Sequence, residues 1–180
     1  SVPAASSTTS TSAGTCPTTL LGTSTGGLYQ YPHLIIPVSS SSPDQAVGTQ
    51  YNATISSTES TIFNFDIPTS YAGKQCSLLF LFPEQDQLET SAFTFSGTGA
   101  FDFAQLSTIA TEQTTYNTVG DIANDFGVMT ATPGSTTIVS TFSCPAGESV
   151  SYEISTTDST SLTYFQDWNP SPIGLYVVKC

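Results

Sequence analysis

Two neighbouring stretches decide the fold: Ser60-Thr61-Ile62-Phe63-Asn64-Phe65-Asp66-Ile67-Pro68 and Cys76-Ser77-Leu78-Leu79-Phe80-Leu81-Phe82. In the first, Ile62, Asn64 and Asp66 fall on one face and Phe63, Phe65 and Ile67 on the other. That is the period of two of a strand with one face in a core. The second is apolar nearly throughout and too short for a stable helix, so it reads as a strand buried on both faces. A strand with two buried faces beside one with a single apolar face calls for packed sheets.

Outward from this pair the same pattern recurs. Residues 28–38, 51–56, 91–97, 100–106, 135–144, 149–156, 161–167 and 174–180 are short runs rich in Val, Ile, Thr, Tyr and Phe. Gly, Pro, Asn and Asp punctuate them. Phe93 pairs in face with Phe95, and Phe101 with Phe103, and both pairs are expected in the core. Pro32 and Pro37 make 28–38 an edge strand or two short pieces. The fold class expected is all-β: an antiparallel β-sandwich of about ten strands with very little helix. One helical turn is expected near 104–111 or 119–125.

Composition narrows the function. The chain has 180 residues, of which 9% are charged, with 14 acids against two bases and a net charge of -12. Such a surface repels phosphate backbones and anionic headgroups, which excludes nucleic-acid partners and binding to acidic membranes. No apolar run approaches the length of a membrane-spanning helix, so no membrane insertion is expected. Residues 1–15 are low-complexity, nine of them Ser or Thr. They read as a stalk or N-terminal extension in the manner of O-glycosylated segments, with the disulfide-bonded domain in 16–180. Ser1 reads as a processed start.

Four cysteines stand at 16, 76, 144 and 180, with no close pair for a zinc ribbon or a redox Cys-x-x-Cys. The even count and wide spacing predict two disulfides formed in an oxidising compartment. Three connectivities are open; the pairing we expect is Cys76 with Cys144 and Cys16 with Cys180, the latter stapling the chain ends. Asn52-Ala53-Thr54 is the one Asn-x-Ser/Thr acceptor with a permitted middle residue.

The stretches YPHLIIPV, STIFNFDIP, SYAGK, CSLLFLFP, TFSG, GAFDF, FSCPAGESVSYEIS and YFQDWNPSPIGLYV, in this order, resemble the fungal But-two C-terminal domain family, named for a ubiquitin-three-binding protein. The resemblance runs from Tyr31 to Cys180. It implies a fungal source and, in most architectures, a secreted or cell-surface protein. The family name implies binding to an enzyme that activates a ubiquitin-like protein, an activity of intracellular members. Four cysteines, the Asn52 acceptor and the Ser/Thr extension depart from that setting. The family supplies no catalytic motif.

The residues themselves give little catalytic chemistry. His33 is the single histidine, and no Gly-x-Ser-x-Gly elbow accompanies it, so it reads as a strand-embedded structural residue. Asp66, Asp102, Asp125 and Asp167 each sit beside Phe or Trp, where desolvation raises a carboxyl pKa. A glycosidase would need two of them across a cleft. Asp121, Asn124 and Asp125 cluster in what reads as a turn, but not at the spacing of a calcium loop. No metal or cofactor is expected. Tyr29, Tyr31, Tyr164, Trp168 and Tyr176 are candidates to stack on sugar rings, Trp168 and Tyr31 foremost. In Gln166-Asp167-Trp168-Asn169-Pro170-Ser171-Pro172 the prolines make a rigid corner between strands. Trp168 either packs that corner, in which case Trp168→Ala costs roughly 3–5 kcal/mol, or stands on it as a platform.

The expected function is that of a secreted, non-enzymatic structural protein of the fungal cell wall or hyphal surface. Self-assembly into extracellular fibres would use Val2 and Ala4 of the N-terminal segment, added as a strand to a neighbour's sheet edge. The alternatives are a carbohydrate-binding module for wall polysaccharide, a glycosidase, and the intracellular adaptor of the family name. A row of exposed aromatics beside Trp168 would favour the first of these.

Overall fold

The computed structural model describes residues 16–20, 29–168 and 170–180. Its strands are β1 (Tyr29–Gln30), β2 (Leu34–Ser39), β3 (Asn52–Ile55), β4 (Glu59–Asp66), β5 (Gln75–Phe82), β6 (Phe93–Ser96), β7 (Ala100–Leu106), β8 (Ile122–Thr130), β9 (Ser135–Ser143), β10 (Ser149–Ser155), β11 (Ser161–Phe165) and β12 (Gly174–Lys179). They form three antiparallel sheets in a sandwich-like fold, ordered β1-β12-β5-β9, β2-β4-β10-β7-β8 and β3-β11-β6. The expected all-β class is the observed one. Short 3-10 turns occur at Thr69–Tyr71, Gln85–Gln87 and Tyr116–Thr118. The helical turn expected near 104–111 or 119–125 is absent: β7 takes residues up to Leu106, β8 those from Ile122, and the connection between them holds a 3-10 turn only at Tyr116–Thr118.

The deciding stretches behave as their patterns require. On β5, Cys76, Leu78, Phe80 and Phe82 enter the main core, while Leu79 and Leu81 pack on the opposite face with Leu20, Tyr176 and Val178. Phe80 is the hub of the core. Its ring lies 5.9 Å from Phe101, 5.7 Å from Phe103 and 6.1 Å from Tyr164, joining the four-stranded sheet to the other two. Phe93 and Phe95 close one end edge-on against Phe82, at 4.9 and 5.3 Å. Pro37 sits on β2, an edge strand of the five-stranded sheet, where its missing N–H is tolerated.

The second face of β4 is also buried. Residues 107–121 fold over it, and Ile36, Val38, Ile62, Leu106 and Ala110 form a smaller apolar cluster there. A polar network fixes this cover. Asn64 Nδ2 donates to the Ala110 carbonyl at 2.5 Å, the Ala110 N–H donates to Ser151 Oγ at 3.0 Å, and Ser151 Oγ donates to Asn64 Oδ1 at 2.5 Å. Both side chains are almost fully buried, so each polar group is satisfied by a partner rather than by water.

Both expected disulfides are present, Cys16–Cys180 and Cys76–Cys144, and among the described residues no cysteine is free. The segment holding Val2 and Ala4, proposed for self-assembly, lies outside the described residues. Among those residues no helix is long and apolar enough to cross a membrane.

Candidate functional site

The corner after β11 is built from two devices, and neither uses the tryptophan ring. The Gln166 side chain straddles Leu175, its Nε2 donating to the Leu175 carbonyl at 3.0 Å and its Oε1 accepting the Leu175 N–H at 3.3 Å. The amide thus stands in for a neighbouring strand. Tyr176, 1% exposed, donates its hydroxyl proton to the Asp167 carbonyl at 2.5 Å, with the Ile173 carbonyl 3.3 Å away. Asp167 and Ile173 form a backbone bridge across the corner. Burial and the Asp167 carboxylate push the Tyr176 phenol well above its ordinary pKa, so it stays a donor.

Trp168 is left outside, 58% exposed. The corner-packing reading of this residue is therefore corrected: Tyr176 and Gln166 hold the corner, and the indole projects from it. The Trp168 N–H donates to Asp167 Oδ1 at 2.8 Å, and Thr90 donates to the other carboxylate oxygen.

Three segments converge beside the indole. Tyr31 to Ile35, Thr49 to Tyr51 and Phe165 to Trp168 line a groove of about 570 Å³, with Tyr176 at its base. The Gln50 N–H donates to the Ile35 carbonyl at 2.8 Å, and Thr49 Oγ1 accepts the Ile35 N–H at 3.0 Å, fixing the first two walls together. Tyr31, Tyr51 and Trp168 stand around it, 64%, 83% and 58% exposed. Tyr51 leans on Phe165 with ring centroids 6.3 Å apart. His33 lines the groove and faces Asp66 at 3.4 Å. Neither Lys74 nor Lys179, the only two basic residues besides His33, touches it.

Of the aromatics singled out from sequence, Tyr31 and Trp168 meet in this groove. Tyr164 is a core residue, and Tyr29 is half-buried with its ring edge-on to Tyr176. Tyr51 was not anticipated. The one signal for it is that a large aromatic follows the polar run Gly48-Thr49-Gln50, where a core residue would be out of place.

The carboxylates do not converge here. Asp167 alone of the four lines the groove. Asp121, Asn124 and Asp125 do not form a turn; they lie at the start of β8 or beside it, with Asn124 donating to Gln105 and Asp125 accepting from the Gly127 N–H. Among the described residues no cluster of His, Cys, Asp and Glu is placed to hold a metal ion. Asp102 and Glu153 share the outer face of the five-stranded sheet. Desolvation, followed by the Asp125 carboxylate, raises the Asp102 pKa. Desolvation also raises that of Glu153, which Asp102 pushes further while the Ser60 hydroxyl opposes it.

A raised carboxyl pKa means that folding favours the protonated form. Stability from Asp102 is therefore present below the unfolded pKa near 4 and is lost as pH rises through the folded value. Asp102→Asn is expected to melt higher than the parent at pH 7, with the advantage shrinking toward pH 4. A melting-temperature series of both proteins from pH 4 to 8 measures this, and a constant offset across that range contradicts it.

A family model described as the Ubiquitin 3 binding protein But2 C-terminal domain matches residues 30–170. The chain belongs to the But2 C-terminal domain family. The But2 match contains all three groove aromatics and the whole of the five-stranded sheet. A Schizosaccharomyces pombe protein described as an uncharacterized but2-like protein is 27% identical over 151 residues. That similarity covers 78% of this chain but 31% of the relative, so the chain spans about a third of the relative's length.

Proposed function

We propose that this But2 domain is a secreted fungal cell-surface module, without catalytic activity, that holds neutral wall polysaccharide in the Tyr31–Tyr51–Trp168 groove. The observation that carries this reading is the grouping of three exposed aromatic side chains from separate segments around one groove. A soluble domain that leaves such rings in water gives up their burial, and flat aromatic faces suit the apolar faces of pyranose rings. The groove volume lies in the range of small-ligand sites. No Lys or Arg lines it and the chain carries a net charge of -12, which disfavours uronates and phosphorylated glycans. The two disulfides fit an oxidising compartment.

Trp168→Ala and Tyr51→Ala are each expected to weaken binding about tenfold, equivalent to roughly 1.4 kcal/mol. Because both rings are largely exposed, the melting temperature stays within about a degree of the parent. Depletion of the protein by insoluble β-glucan and chitin, with thermal unfolding alongside, measures both. A parent protein that binds no neutral polysaccharide sinks the reading.

The family name favours a second reading, an adaptor for an enzyme that activates a ubiquitin-like protein. In that case the same groove variants would release a protein partner, while the glycan assay would stay blank.

A further inference from the structure

We propose that Asn52 carries an N-linked glycan whose first N-acetylglucosamine packs on the ring of Phe165. This rests on the reading of the chain as an exported protein. Asn52 opens the acceptor triplet Asn52-Ala53-Thr54 and is the first residue of β3. β3 is an edge strand of the three-stranded sheet, and Asn52 is exposed while Ala53 and Ile55 turn into the core. The acceptor side chain therefore points away from the core, while Thr61 Oγ1 of β4 accepts the Thr54 N–H and donates to the Thr54 carbonyl on that edge.

Its cross-strand partner is Phe165. Side chains directly opposite on one face of an antiparallel pair stand about 5 Å apart at Cβ. A sugar on Asn52 Nδ2 is thus delivered beside an aromatic ring that is only half-buried. From there a trough of about 550 Å³ runs across the sheet, with Thr94 and Thr163 along it. Hydroxyl groups flanking one apolar ring match the first sugar, which has an apolar face and a polar rim.

Attachment occurs during export. Nδ2 of Asn52 attacks the anomeric carbon of a polyprenyl-diphosphate-linked oligosaccharide. The bond from that carbon to the diphosphate oxygen breaks, the diphosphate leaves with the electron pair, and the amide nitrogen gives up one proton.

The test uses the full chain secreted by a glycosylating eukaryotic host, so that export is supplied whatever the groove binds. Intact mass is measured before and after peptide-N-glycosidase F, with peptide mapping for the Asn-to-Asp conversion that release leaves. One glycan at Asn52 is expected, absent from Asn52→Gln and from Thr54→Ala. An unmodified Asn52 in the secreted protein overturns the site. For packing, the glycan is trimmed to its first sugar by endoglycosidase H. The trimmed protein is expected to melt about 2–4 °C above Asn52→Gln, from an aromatic contact of about 1 kcal/mol. That gain should vanish in a Phe165→Leu background. Should that variant fold poorly, the sugar's proton resonances in the trimmed parent decide, since a ring face beneath them shifts them upfield. Unshifted resonances, or an equal gain in both backgrounds, overturn the packing.

Discussion

Gly174→Ala lowers the melting temperature by roughly 10 °C, because one methyl group dismantles the corner before the last strand. Gly174 has φ +114, a conformation that side chains resist at about 1–3 kcal/mol. A Cβ there would lie 1.7 Å from Gln166 Oε1 and 2.4 Å from its Cδ. Gln166 is flexible enough to move aside, but only by releasing both hydrogen bonds to Leu175, about 1 kcal/mol each. The sum is about 3–5 kcal/mol, and each kcal/mol is worth about 2–4 °C in a domain of this size. Gln166→Ala gives up only the hydrogen bonds, so it should cost about half as much. In the double variant the clash is gone and the backbone cost remains, so its loss should fall short of the sum of the singles. Thermal unfolding of the three variants checks this, and a Gly174→Ala protein that melts with the parent refutes the account.

The second large effect belongs to Cys76–Cys144. Replacing both by Ser is expected to cost about 4 kcal/mol, the chain-entropy value for opening a loop of 68 residues. Cys76 is fully buried on the core face of β5, so the substitution also places hydroxyls where sulfur made apolar contact. Denaturant unfolding of the double variant measures the loss. In the unreduced parent, alkylation should add no mass at Cys16, Cys76, Cys144 or Cys180. Labelling of any of these, or a double variant within about 1 kcal/mol of the parent, goes against it.

Much of the sandwich was legible because β4, β5, β7, β10 and β12 carry apolar residues at the period their burial demands. β8 was not. Ile122-Ala123-Asn124-Asp125-Phe126-Gly127 has the composition of a turn, and the strand is mostly exposed at a sheet edge. Its backbone pairs with β7 through a ladder with two register shifts, and Phe126 and Met129 pack against the core. Nothing in its side chains advertises that ladder, since backbone groups form it. Asn64 and Ser151 were opaque for a different reason. Their pattern marks a face away from the core, and only the fold reveals that residues 107–121 return to cover it. The groove was half legible. Tyr31 and Trp168 were singled out by residue type and by the prolines nearby. Tyr51 joins them through a packing of three segments that is set by the sheets and not by local sequence.

The Cys16–Cys180 bond also decides how the domain meets mechanical load. A pull applied at residues 16 and 180 passes directly through the sulfur atoms, and no strand between them is sheared or peeled. Oxidised, the module is an inextensible link in which the groove keeps its shape under tension. With that bond reduced and Cys76–Cys144 intact, it becomes a spring with a long reserve: of the 164-residue separation, 68 stay inside the second loop, and the remainder pays out roughly 330 Å of extended chain. Stiffness along that line of pull would then be governed by a single covalent bond, while the sheets set only the force at which the reduced form gives way.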